Sequence, residues 1–132
     1  MMFREVIEID TKTDEFVDIT ERIVSLVNSC QISEGLCHVF LPGTTAGFLI
    51  NEHDRMLIED FKRLFRKYAP EDGFYNHPSN AFSHIKANLL KTEFTFPISN
   101  GGAYLGTWQN ILLWEFDINN RKREIVITII GD

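Results

Sequence analysis

Apolar residues recur at two spacings along this chain, and the spacings separate strands from helices. Residues 3–9 (FREVIEI) are rich in strand formers and predict a strand. Ile23, Leu26, Val27 and Cys30 follow at helical spacing behind Asp18-Ile19-Thr20-Glu21, a capping-box pattern, and predict a short amphipathic helix over 19–30. Residues 36–41 (LCHVFL) and 46–50 (AGFLI), parted by Pro42-Gly43, predict a strand pair with a tight connection. The strongest helical pattern runs over 51–68, where Leu57, Ile58, Phe61, Leu64, Phe65 and Tyr68 form one stripe. Asn51 or Asp54 is placed to cap it, basic residues gather toward its end, and Pro70 stops it. A third helix is predicted over 80–90 with Asn80 as its cap, then a strand over 93–98 ending at the turn signal Asn100-Gly101-Gly102. Strands over 111–116 and 124–130 read as a hairpin across Asn119-Asn120.

This pattern amounts to about seven strands and three helices, interleaved without regular βαβ units. It predicts an α+β fold, a single domain over 1–132 with a β-sandwich-like, largely antiparallel core. At 132 residues the chain buries about two-thirds of its extended surface, enough for one core and too little for two. Eleven Phe fill core, which leaves the two Trp as the aromatics to question. Cys30 and Cys37 have no metal or redox spacing and read as small packed residues.

Charge narrows the function classes. Nineteen acidic residues against thirteen basic ones give a net charge of −6, which disfavours nucleic acid as a partner because phosphate backbones select basic faces. No apolar run is long enough for a membrane span, and the first residues lack the stretch of a signal peptide, so a cytoplasmic protein is expected.

Four segments carry polar residues that a core does not require. Gly43-Thr44-Thr45-Ala46-Gly47 exposes backbone N–H groups and hydroxyls suited to an anion; taken alone it also reads as an ordinary turn. His77, Asn80, Ser83, His84 and Lys86 fall within eleven residues, with Asn80 and His84 on one helix face; a metal or a phosphate suits the set, although its spacing matches no zinc signature. Trp108-Gln109 follows Gly106-Thr107 between two strands, where Trp stacks on a ring or caps the core. Glu115 stands between Trp114 and Phe116; it faces solvent or, if buried, must be paired or protonated.

In this order the motifs resemble the YjbQ-like family, whose members are described as secondary thiamine-phosphate synthases. The stretches are 35–52 with its Thr-Thr-Ala and Asn-Glu, 75–90 with Tyr-x-His and Asn-x-x-x-His-Ile-Lys, and 97–131 with Leu-Gly-Thr-Trp-Gln. The resemblance implies a homotrimer with polar sites near subunit boundaries and formation of thiamine phosphate from a pyrimidine diphosphate and a thiazole phosphate. It implies His84 and Glu52 as catalytic residues, and Thr44, Thr45, Asn51, Asn80, Lys86, Trp108, Gln109 and Glu115 around a small phosphorylated ligand. It also implies a divalent metal, zinc or magnesium, at His77 and His84. The family pattern has a histidine before Thr-Thr where this chain has Gly43, so restoring histidine there is expected to raise bound zinc. The alternative is a non-catalytic module that holds a phosphorylated molecule, an anion or a metal in the same pocket.

Overall fold

Alternation decides which strand faces turn inward. The computed structural model describes residues 1–132. A five-stranded antiparallel sheet is built, in spatial order, from β1 (Met2–Thr11), β8 (Arg121–Gly131), β3 (Gly35–Phe40), β5 (Glu93–Ser99) and β6 (Gly102–Ala103). In β8 the odd-numbered Ile125, Ile127 and Ile129 are fully buried, while Glu124 and Ile130 point outward. The registers Cys37↔Ile129 and Ile7↔Ile125 carry the same parity into the neighbouring strands, so one face of the sheet is continuously apolar.

A second sheet of three strands, β2 (Phe16–Asp18), β7 (Asn110–Glu115) and β4 (Ala46–Asn51), packs over that face. Both faces of β7 are covered. Ile111 and Leu113 enter the main core with Phe48, Ile23 and Val27. Trp114 enters a second cluster with Phe65, Phe116 and Ala87. Helix α1 (Thr20–Ser29) supplies Ile23 and Val27 to the first cluster, whereas α2 (Arg55–Tyr68) and α3 (Ala81–Leu89) lie on the outer face of the small sheet. The fold is α+β, as the pattern predicts.

Two predicted pairings do not form. The strands flanking Pro42-Gly43 belong to different sheets, and so do those flanking Asn119-Asn120. Each short connection turns a corner of the sandwich instead of closing a hairpin. Strand patterning reports which face is buried, and it is silent on which neighbour supplies the hydrogen bonds. The Asn100-Gly101 turn does join paired strands, with Ser99 opposite Gly102 and both turn residues at positive φ. Strand β2 was not signalled by the pattern. The second helix begins at Arg55, capped by Asp54, whose carboxylate accepts from the Leu57 N–H at 2.9 Å; Asn51 belongs to β4. At the first helix Asp18 accepts from both the N–H and the hydroxyl of Thr20.

The third helix is seated on β4 at Gly47, where an added Cβ would lie 2.8 Å from the Leu90 Cβ. Ser83, fully buried, donates to the Phe116 carbonyl. Gly47→Ala is therefore expected to destabilise the protein by about 1–3 kcal/mol through overpacking. Adding Leu90→Gly is expected to cost less than the two single changes together, because the Cβ that makes the clash is gone. Urea unfolding of the three variants measures this, and strict additivity would mean that the helix is not seated at Gly47.

Candidate functional site

Glu115 lies on the main-core face of β7 and is 0% exposed, and Arg123 of β8 is 3% exposed. Arg123 donates from Nε to Glu115 Oε1 at 2.7 Å and from Nη2 to Oε2 at 2.5 Å, so a bidentate ion pair joins the two sheets. The Thr11 hydroxyl and the Asp117 N–H donate to the same carboxylate at 2.6 and 3.0 Å. Burial alone would raise the Glu115 pKa, but the bonds from Arg123, Thr11 and the Asp117 N–H outweigh it and hold the carboxyl below its ordinary value. Arg123 Nη2 also donates to Thr45 Oγ1 at 2.8 Å, which ties the 41–45 turn to the pair. Asp117 accepts from Arg121 Nη1 and the Ile118 N–H, and these overcome its desolvation and lower its pKa as well.

Above this network the 41–45 turn faces α3 across an open cleft of about 430 Å³, lined by Gly43, Thr44, His84, Ala87, Asn88 and Thr92. Gly43 has φ +148°, and a Cβ there would lie 3.0 Å from Arg123 Nη1. The third guanidinium nitrogen thus lies against the bare backbone of the turn and donates to no protein group. A histidine at this position would have to displace it and adopt an unfavourable φ, so restoring the imidazole costs fold stability before it gains a ligand. The His77 and His84 rings are 4.8 Å apart at 60°. His77 itself opens onto a neighbouring cleft of about 220 Å³ with Glu71, Tyr75 and Ser79. No three His, Cys, Asp or Glu side chains gather closely enough to hold a metal within one chain, so the two imidazoles stand as a pair.

The remaining sequence candidates are spread more widely. Thr44 shares the cleft with His84, whereas Thr45 is buried in the ion-pair network. Asn80 occupies the cap position of α3 but its side chain makes no cap bond. Lys86, buried, enters a separate small slot with Arg66 and Glu71 on the far side of Phe116. Asn51 folds back to accept from the Glu52 N–H at 2.8 Å, and Glu52 is exposed. Gln109 accepts from the Gly106 N–H at 2.8 Å and closes its own turn, leaving Trp108 69% exposed beside it. Trp108 is not part of the core of this chain.

Arg123, Asp117 and Thr11 did not emerge as site residues from the sequence. The signal was present for Arg123, which shares the odd parity of Ile125, Ile127 and Ile129. His53 also escaped notice; its Nδ1 lies 2.8 Å from Asp18 Oδ2. The largest cleft, about 580 Å³ between β1 and α1 over Glu5, Glu21 and Arg22, contains none of the candidates.

Asp18, Glu115 and Asp117 all have pKa values below those of free carboxyls. Their contribution to stability is complete above the unfolded values near about pH 4 and is lost as pH falls through the folded ones. Unfolding free energy is expected to be flat above about pH 5 and to fall steeply below about pH 4. Denaturation followed from pH 2 to 7 checks this, and an unchanged midpoint across that range would contradict the assignment.

A family model for "UPF0047 protein YjbQ-like" matches residues 5–132. The chain is similar to a UPF0047 protein of Methanocaldococcus jannaschii, 36% identical over 134 residues, with 100% of this chain and 96% of the relative covered. It is similar to the UPF0047 protein YjbQ of Escherichia coli O157:H7, 30% identical with 100% of both chains covered. Among solved structures it resembles a YbjQ-like protein of Sulfolobus solfataricus, with TM-score 0.94 at 32% identity over 100% of this chain and 99% of that one. A Clostridium acetobutylicum protein of the yjbq/upf0047 family gives TM-score 0.88 at 37% identity over 96% and 99%.

Proposed function

The chain belongs to the UPF0047 YjbQ-like family, a family of uncharacterised proteins, and from that premise we propose that it binds a small phosphorylated ligand in the cleft between the 41–45 turn and α3. The observation that carries the reading is Arg123 Nη1, an unpartnered donor on a guanidinium otherwise locked in place, lying against a turn residue without a side chain. Thr44 offers a hydroxyl, Asn88 an amide and His84 an imidazole on the cleft, and Arg123 stands behind its Gly43 wall. Phosphate oxygens accept from all four kinds of donor, and a charge-assisted bond from arginine is among the stronger ones.

A second reading is turnover at this cleft, supported by the family resemblance and by His84 standing beside Thr44. The ring nitrogen of a thiazole phosphate would attack the methylene carbon of a pyrimidine diphosphate; a C–N bond forms, the C–O bond to diphosphate breaks, and pyrophosphate leaves with the bonding pair. The protein's part is to align the partners and hold the leaving charge. We further propose that a homotrimer completes the site, with Trp108 of one copy supplying a stacking wall to the next. Uncovered apolar side chains support this assembly: Met56, Leu64 and Tyr68 on α2, and Ile85 and Leu89 on α3.

Calorimetric titration with pyrophosphate tests the proposal. Wild type is expected to bind, Thr44→Val and His84→Leu to bind about tenfold more weakly for each donor lost, and all three to unfold alike. Wild type that takes up no pyrophosphate at millimolar concentration would overturn the binding reading. Incubation with both heterocycles and chromatography for thiamine phosphate separates turnover from binding. For the assembly, light scattering is expected to give three times the 15.3 kDa chain mass, and a monomer would overturn it. Trp108→Ala is expected to weaken uptake of a pyrimidine diphosphate about tenfold to hundredfold with little change in unfolding.

A further inference from the structure

Lys86 is 6% exposed, and its Nζ makes neither a hydrogen bond nor an ion pair. The amine stands 5.4 Å from the centre of the Phe82 ring and 6.0 Å from that of Phe116. It opens on a slot of about 40 Å³ that Thr13, Asp14, Arg66, Glu71 and Glu115 also line. Two of the carboxylates there are committed elsewhere. Glu115 is held by Arg123 and Thr11, and Asp14 accepts from Trp114 Nε1 at 2.9 Å with Lys62 at 3.8 Å. Burial lowers the Lys86 pKa from its ordinary value; Asp14 and Glu71 oppose that shift and Arg66 adds to it. An amine in these surroundings has a raised neutral fraction, and the neutral amine is the nucleophile. The slot is too small for a phosphorylated heterocycle. Two of its walls are the Phe82 and Phe116 rings, against which a small electrophile fits, and the guanidinium on its rim suits a carboxylate-shaped product.

We propose that Lys86 is a carbamylation site, where the amine takes up carbon dioxide and Arg66 holds the resulting carbamate. The nitrogen lone pair attacks the carbon, the N–C bond forms, and one C–O π pair moves onto oxygen. The nitrogen then loses a proton to solvent, and nothing is oxidised or reduced. With the proton that the ammonium gives up to solvent before the attack, two protons leave in all, and the cation becomes an anion in a slot beside the aromatic cluster under β7. Arg66, which has no ion-pair partner in the structure, matches the carbamate as it would any carboxylate. Glu71 opposes it.

The experiment is incubation with ¹³C-bicarbonate, trapping with triethyloxonium and peptide mass spectrometry. Wild type is expected to carry the trapped label on Lys86 in preference to the exposed Lys67, Lys91 and Lys122. Arg66→Gln is expected to reduce the labelled fraction about tenfold, and Glu71→Gln to raise it. Lys86→Met is expected to lose that label while retaining cooperative unfolding. Should Lys86→Met fail to fold, the peptide-resolved position of the label in wild type decides the matter. Absence of label on Lys86 in folded wild type, or a label spread evenly over the surface lysines, would overturn the proposal.

Discussion

Glu115 and Arg123 come from different sheets and meet where the sandwich would otherwise leave a polar end open. Desolvating two charges costs several kcal/mol, and only good geometry with further hydrogen bonds repays it. Here the carboxylate accepts from Arg123, Thr11 and the Asp117 N–H, while the guanidinium also reaches Thr45. The pair therefore fixes three things together: the spacing of the sheets, the corner after β7, and the 41–45 turn. A pair of apolar residues could fill the same volume, but it could not direct a turn or present a donor.

From that latch the candidate site follows by short steps. Thr45 anchors the turn, so Gly43 and Thr44 project over α3. The helix is held in place by its contact at Gly47 and by Ser83 on the Phe116 carbonyl. His84 and Asn88 then line the cleft, while Lys86 points to the other side. One helix thus separates an open cleft, where anion chemistry is available, from a small slot, where a lone amine sits against two aromatic rings.

The architecture was legible where periodicity is strong. The three helices, the strands β1, β3 and β8 and the α+β class all follow from the spacing and type of the apolar residues. Strand partners were not legible, because Pro42-Gly43 and Asn119-Asn120 serve equally well as hairpin turns and as corners between sheets. The adjacency of His77 and His84 could be read from the short Pro78-Ser79 link. Glu115 stood out as a charge in an apolar strand, but its partner was concealed in a run of bases, where odd parity set Arg123 apart from Lys122 and only its place next to the Ile125 stripe set it apart from Arg121. Trp108 shows another limit: sequence marks it as unusual, and its exposure turns the question toward what lies outside the chain.

A double-mutant cycle on Glu115→Leu and Arg123→Leu tests the latch most directly. Each single change leaves one buried group uncompensated and is expected to cost about 3–5 kcal/mol in unfolding free energy. The double variant is expected to cost much less than the sum, with a coupling energy of about 2 kcal/mol or more, because neither unpaired charge remains. Losses that simply add would contradict the account, since the two residues would then be stabilising the fold independently.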